Sequence, residues 1–276
     1  MEEKVIDINS LEDISKSIRT KVVNMIYGSG VGHLGGAMSI VDILNVLYFN
    51  EMKLNPKNPL WENRDRLILS KGHGCPALYA ALAEKGFIDE DVLCTLHKID
   101  SPLQMHPEFG RCPGIDMSAG SLGQGISAAI GMAIGARIRG SNFRVYTIIG
   151  DGESAEGQIW EAAMAAPNHK LDNMVVILDY NGLALTDRIS NVMQLEPVAD
   201  KWRAFGWHVI EVNGHSIPEL LDAFKEARGV KGKPSFIIAH TIKGYGASYI
   251  ADRAECHSVS LTREQADQVL KEICEM

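Results

Sequence analysis

Two short motifs carry the strongest chemical signal. Gly150-Asp151-Gly152 follows the apolar run Val145–Ile149, and Asp179-Tyr180-Asn181-Gly182-Leu183 follows the apolar run Met174–Leu178. The glycines let the backbone turn sharply and approach a ligand closely. A helix expected just after Gly152 would aim free N–H groups and its dipole at an anion, which suits a diphosphate. Asp151 offers a hard carboxylate oxygen and Asn181 an amide oxygen, thirty positions apart. A βαβ crossover has about that length. With the backbone carbonyl of Leu183 they form a magnesium-type donor set, because magnesium takes oxygen ligands and keeps phosphate oxygens in its shell. A lone Gly-Asp-Gly or Asn-Gly is an ordinary turn. The pair, each placed after an apolar strand, is much more specific.

Histidines form the second signal. Three of the nine, His33, His73 and His106, lie in or beside loops rich in glycine or proline, and His257, which lacks that setting, is added by the family resemblance described below. Imidazole in such loops can donate hydrogen bonds to developing alkoxides and move protons near neutral pH. His97, His169, His208, His215 and His240 lack that setting and read as structural. Ligand spacings for zinc are absent.

These residues need a scaffold that presents strand ends side by side. Strands are expected at Arg66–Ser70, Arg144–Ile149, Met174–Asp179, His208–Val212 and Ser235–His240. Helices are expected from Ser10, with Ser10 as cap and Gly28 and Gly30 as stops, and over Ser39–Phe49, Pro76–Lys85 and Gly123–Arg139. Further helices fall near 155–166, 197–205, 216–228 and 262–274. Ser216-Ile217-Pro218-Glu219 reads as a capping box. Apolar strands alternating with helices give an α/β fold with a parallel sheet and helices on both faces, here as one domain over 1–276. Such sheets bind ligands outside the carboxyl ends of their strands. Residues 100–121, with little periodicity and several Gly and Pro, form a long loop of the functional kind.

Bulk properties narrow the function classes. The chain has 276 residues, a formal charge of −8 and no long basic run, which argues against a nucleic-acid partner. No apolar stretch is long enough to span a bilayer, and the charged start Met1-Glu2-Glu3-Lys4 is no secretory signal. Cys75, Cys94, Cys112, Cys256 and Cys274 are odd in number and include no C-x-x-C pair, so a reducing cytoplasm is expected.

Taken together, the motifs resemble the thiamine diphosphate enzymes, and specifically the transketolase family. Gly32-His33-Leu34-Gly35-Gly36, Leu69-Ser70-Lys71-Gly72-His73, His106-Pro107-Glu108-Phe109 and Gly120-Ser121-Leu122-Gly123-Gln124-Gly125 match that family's blocks in order, over nearly the whole chain. The resemblance implies a Rossmann-like thiamine diphosphate-binding fold, with magnesium on Asp151, Asn181 and Leu183. It assigns His73, Gly120, Ser121, Leu122, Asp151, Gly152, Glu153, Asn181, Leu185 and His257 to the cofactor. It assigns His33, His106 and His257 to catalysis around the substrate, and Glu156 and Glu161 to the dimer interface. The implied activity is transfer of a two-carbon ketol unit from a ketose to an aldose, on sugars or sugar phosphates.

Leu34 and Ser121 stand where full-length members usually have Pro, and Ser258 where they have Gly. The Gly-Ser-Leu-Gly form is more like split transketolases and deoxyxylulose-phosphate synthase. Only the first of the family's three domains has a counterpart here. The resemblance therefore implies the N-terminal subunit of a split enzyme, active with a C-terminal partner and self-associating in an α2β2 assembly. The competing readings are the α chain of a 2-oxo-acid dehydrogenase, which shares the Asp151 and Asn181 logic but not the histidine blocks, and a non-catalytic cofactor-binding module. A nucleotide-binding Rossmann protein is disfavoured because no G-x-G-x-x-G is present at a strand end.

Overall fold

A computed structural model describes residues 7–185, 187–254 and 257–276. Met1 to Lys4 and Cys256 lie outside the described residues. Five strands, β1 (Arg66–Leu69), β2 (Val145–Gly150), β3 (Met174–Tyr180), β4 (His208–Asn213) and β5 (Ser235–His240), form one sheet in the order β1-β2-β3-β5-β4. Every pairing is parallel. The strands are almost continuously apolar because both faces are covered. Tyr146, Ile148, Val175, Ile177 and Ile237 enter one core layer, while Val145, Ile149, Val176, Leu178, Phe236 and Ile238 enter the other.

The first layer is closed by α1 (Ile8–Ser29), α3 (Val41–Val46), α4 (Cys75–Lys85), α9 (Ile217–Gly229) and α10 (Arg263–Glu275). The second is closed by α5 (Gly125–Ile138), α6 (Gly157–Asn168) and α8 (Val198–Ala204). Two short helices, α2 (Leu34–Met38) and α7 (Ile189–Val192), flank the carboxyl end of the sheet. Among the described residues no helix is long and apolar enough to cross a membrane.

Three local expectations change. The first helix starts earlier than Ser10, with Asp7 capping by accepting from the Asn9 N–H; Gly30 ends it in the left-handed region, φ 81°. The helix expected over Ser39–Phe49 is broken. Ser39 gives its hydroxyl to the Gly36 carbonyl and to Asp179, and the chain re-enters as α3 before a wide π-type turn over Leu47–Glu51. At Ser216 only half a capping box forms. Its hydroxyl accepts from the Glu219 N–H, but the Glu219 carboxylate takes the Asn213 N–H instead. The full reciprocal box is at Thr262 and Gln265, opening α10.

Candidate functional site

The carboxyl ends of β1, β2, β3 and β5 deliver Lys71, Asp151, Asn181 and Lys243 to one cavity of about 290 Å³. Gly36, His73, Leu122, Gly152, Glu153, Leu183, Leu185 and His257 complete much of its wall. Asp151, Asn181 and Leu183, singled out in the sequence, are brought together in this cavity. Sequence reasoning did not single out Lys71, Lys243 and Asp179, although each lies at the end of an apolar strand where ligand contacts gather.

Asp151 is held rigidly. One carboxylate oxygen accepts from the Gly152 N–H at 2.8 Å and the other from the Gly182 N–H at 2.6 Å. The β2 and β3 termini are thereby tied together. Asn181 uses its amide oxygen to accept from the Leu183 N–H at 3.1 Å, and its NH₂ donates to Asp179. Each of these oxygens keeps a lone pair free for a cation. Burial, and then the neighbouring Asp179 charge, push the Asp151 carboxyl up to about 7. Three buried carboxylates, Asp151, Glu153 and Asp179, against two buried lysines, Lys71 and Lys243, favour a further positive charge at this point. Among the described residues no three His, Cys, Asp or Glu side chains converge on a metal-sized site. A cation here must therefore draw on the Asn181 amide, the Leu183 carbonyl and oxygens of a ligand, which is the hard-oxygen set magnesium takes. The donor set fits.

Asp179, fully buried, is the hub beneath the cavity. It accepts from Lys71 Nζ at 2.5 Å, Ser39 Oγ at 2.8 Å, Thr241 Oγ1 at 2.5 Å and Asn181 Nδ2 at 3.1 Å. Burial alone would raise its carboxyl; Lys71 and the hydroxyl donors overcome this and hold it below the ordinary range. Lys71, 2% exposed, also donates to the Gly36 carbonyl at 2.9 Å. Lys243, 3% exposed, reaches the cavity from beyond β5, its ammonium 3.3 Å from the Ala184 carbonyl.

Glu153 also lies in the cavity wall, but its carboxylate is engaged inward. It accepts from Ser70 Oγ, from the Gly123 N–H at 2.8 Å and from the Gly150 N–H at 3.0 Å. Its side chain staples the Gly120–Gln124 turn to the β2 terminus. Burial raises its carboxyl despite these donors.

Three of the four singled-out histidines cluster. The ring centroids of His33, His73 and His257 lie 4.9 to 5.5 Å apart. A two-residue antiparallel bridge between Gly32 and Val259 brings the loops carrying His33 and His257 together. Burial, followed by the charges of nearby histidines and lysines, lowers all three imidazoles: His73 well below its ordinary value, His257 to about 4. They are neutral at pH 7, each offering one N–H and one lone pair. His106 stands beside them against Gly120; a Cβ on that glycine, at φ 147°, would meet the His106 ring at 3.2 Å. Gly120 and Ala119 press equally closely on Gly72. Leu122 lines the cavity, whereas Ser121 is exposed just outside it.

The cavity wall carries two exposed apolar side chains: Leu185 is 61% exposed and Val192 about half exposed. Glu156 and Glu161 are exposed outside the cavity, Glu156 with its Cβ packed close to Gly123.

An acid-amide pair and two lysines at parallel strand ends, beneath a histidine cluster, define a domain that binds a diphosphate-bearing cofactor. Residues 10–274 match the family described as the transketolase, thiamine diphosphate binding domain. The chain belongs to the transketolase family. It is 45% identical over 273 residues to the 6-deoxy-6-sulfo-D-fructose transketolase subunit SqwG of Clostridium sp. (strain MSTE9), covering 99% of this chain and 98% of that one. It is 40% identical over 268 residues to an apulose-4-phosphate transketolase subunit of Phocaeicola vulgatus, covering 97% and 95%. Its fold superposes on transketolase from Campylobacter jejuni with a TM-score of 0.92 at 31% identity, covering 98% of this chain and 43% of that chain. The chain thus spans nearly the full length of the subunits, and under half of the undivided transketolase.

Proposed function

We propose that this chain is the diphosphate-side subunit of a two-polypeptide transketolase. It would transfer a two-carbon ketol unit from a ketose to an aldose together with a subunit bearing the pyrimidine-side and C-terminal domains. The observation that carries the reading is the convergence of Asp151, Asn181, Lys71, Lys243, His73 and His257 on one open-mouthed cavity, with the His33 ring packed against both histidines. The end-to-end match to relatives named as subunits supports the division into two polypeptides. The exposed apolar rim at Leu185 and Val192 suits coverage by such a partner.

In this reading Asp151, Asn181 and the Leu183 carbonyl hold magnesium against the diphosphate. Gly152, Glu153 through its backbone, His73 and His257 line the diphosphate, and Gly120, Ser121 and Leu122 receive the far end of the cofactor. Leu185 supplies an apolar contact. Bound thiamine diphosphate supplies the carbanion chemistry that cleaves and re-forms the ketose carbon–carbon bond. The protein contributes placement and protons. His33, His106 and His257, kept close together and, for His33 and His257, uncharged, donate hydrogen bonds to substrate oxygens as negative charge develops and return protons to them. Lys71 stays paired with Asp179, so it sets the charge of the floor rather than taking a proton. Glu156 and Glu161 face a second copy of the chain in an α2β2 assembly. The donor sugar, phosphorylated, sulfonated or free, is selected mainly by the partner.

Calorimetric titration of the assembled two-subunit enzyme with thiamine diphosphate and magnesium tests the assignment. Asp151→Ala and Asn181→Ala should each weaken magnesium-dependent binding at least about tenfold, the loss typical of a disrupted metal site. Unchanged affinity in both variants removes the metal assignment.

A further inference from the structure

His215, at the carboxyl end of β4, lies outside the cavity, yet it is tied to the loop that carries Lys243 into it. Its Nε2 accepts from the Ile242 backbone N–H at 2.9 Å. Its Nδ1 lies 2.9 Å from Asp42 Oδ2 on α3. Because Nε2 is the acceptor, the ring proton sits on Nδ1 and points at Asp42. Asp42 is itself fixed by Arg19 through both terminal guanidinium nitrogens, at 2.9 and 2.5 Å, and by Ser15 Oγ at 2.8 Å. Burial opposes the Asp42 charge, but Arg19 and His215 hold its carboxyl far below the ordinary range. The imidazole also stacks on Tyr245, with centroids 3.7 Å apart and planes 14° apart, and Arg19 lies over the same Tyr245 ring at 5.1 Å. One imidazole thus grips the loop on both sides of Lys243, by the backbone at 242 and by the ring at 245.

Other contacts hold the same loop. Thr241 bonds Asp179 and the Tyr180 carbonyl, the Gly244 N–H donates to the Gly35 carbonyl at 2.9 Å, the Asp252 N–H donates to the Lys243 carbonyl at 2.9 Å, and Lys243 Nζ lies 3.3 Å from the Ala184 carbonyl. Lys243 lies between these points, its side chain buried in the cavity wall.

We propose that His215, oriented by the Arg19–Asp42 pair, is a positioning residue that fixes the Thr241–Gly246 loop so that Lys243 faces the diphosphate of the cofactor. The proposal rests on the thiamine diphosphate reading above. His215 touches neither cofactor nor substrate and acts through the Ile242 backbone and the Tyr245 ring. It does for Lys243 what an outer partner does for a metal ligand: it removes rotational freedom from the group that binds.

The test uses the full chain, wild type, His215→Ala and His215→Gln, in two measurements. Hydrogen exchange on the ligand-free protein reads the loop directly. His215→Ala should speed exchange of the 241–246 amides about tenfold or more, with the β1–β3 amides unchanged. Titration with thiamine diphosphate and magnesium reads the consequence. His215→Ala should weaken binding about tenfold, the order expected for one lost anchoring hydrogen bond and its freed partner. His215→Gln, which keeps a donor and an acceptor, should recover part of both effects. Unchanged loop exchange in His215→Ala overturns the proposal whatever the cofactor does. Faster loop exchange with unchanged cofactor affinity overturns it too, because the device then does not serve the site. A wild-type chain that binds no thiamine diphosphate, alone or with its partner, fails the parent reading and takes the cofactor role of His215 with it. A fall in melting temperature without either effect leaves His215 merely structural and contradicts the proposal.

Discussion

Lys71→Met isolates the charge logic of the site floor. The substitution keeps the length and apolar stem of the side chain and removes its charge. It leaves Asp179 fully buried without its only ion-pair partner among the described groups. Breaking a buried pair from one side costs about 3–5 kcal/mol. Ser39 Oγ, Thr241 Oγ1 and Asn181 Nδ2 remain as donors to Asp179, which puts the cost near the lower end, about 3 kcal/mol at pH 7. For a chain of this length that is a fall in melting temperature of roughly 6 °C. The pH dependence follows from the direction of the shift. In the wild type the Asp179 carboxyl lies below its ordinary value, so its contribution is present above about pH 4 and is lost only as pH falls through the folded value. Without Lys71, burial dominates and the folded value rises above the unfolded one. The protonated form then stabilises the fold, and that contribution disappears as pH rises. Asp151 and Glu153, which also feel the Lys71 charge, shift the same way. Thermal unfolding by circular dichroism should therefore show a large deficit for Lys71→Met at pH 8 that narrows at pH 5. Adding Asp179→Asn should recover much of it at pH 8, because both charges are then gone. Equal deficits at both pH values, or a double variant no better than the single one, would rule out this charge pairing as the source of the effect.

Two further perturbations probe the same floor. Burial and then Asp179 raise the Asp151 carboxyl to about 7, so its stabilising contribution is present below about pH 4 and is lost as pH rises through about 7; ligand-free Asp151→Asn, which removes the buried charge but also one of the two accepted N–H bonds, should gain stability relative to the wild type as pH rises from about 4 to 8, measured by urea unfolding, and should show no gain on adding magnesium with thiamine diphosphate. Gly120→Ala places a Cβ at φ 147° and 3.2 Å from the His106 ring, so it should cost about 1–3 kcal/mol in the same assay, and a shift under about 0.3 kcal/mol would contradict that close packing.

What could be read from the chain and what could not separate along physical lines. The strands are legible because both sheet faces are covered, which makes Val145–Ile149 and Met174–Leu178 continuous apolar runs. Asp151 and Asn181 are legible because they lie two and three positions past the ends of those runs, each beside a glycine. The pairing of Lys71 with Asp179 spans 108 positions and that of His215 with Asp42 spans 173, and neither has a local periodicity to reveal it. His215 read as structural because it sits outside any histidine block; its importance lies in which backbone N–H it accepts. The helix expected over Ser39–Phe49 failed for a related reason. Its apolar spacing is helical, but Ser39 is drawn to Asp179, a residue 140 positions away. Lys243 carries a readable signal: it follows the last strand and precedes Gly244, the usual place for a ligand-binding side chain in a parallel sheet.

If this chain forms one wall of a ketol-transferring site, the other wall belongs to a partner. The direct measurement is ketol transfer from a panel of free, phosphorylated and sulfonated ketoses to an aldose, with thiamine diphosphate and magnesium present. It compares the purified chain, a C-terminal transketolase subunit, and the two mixed. The divided site predicts turnover only in the mixture, abolished when the mixed chain carries Asp151→Ala. Full turnover by the purified chain alone would contradict it.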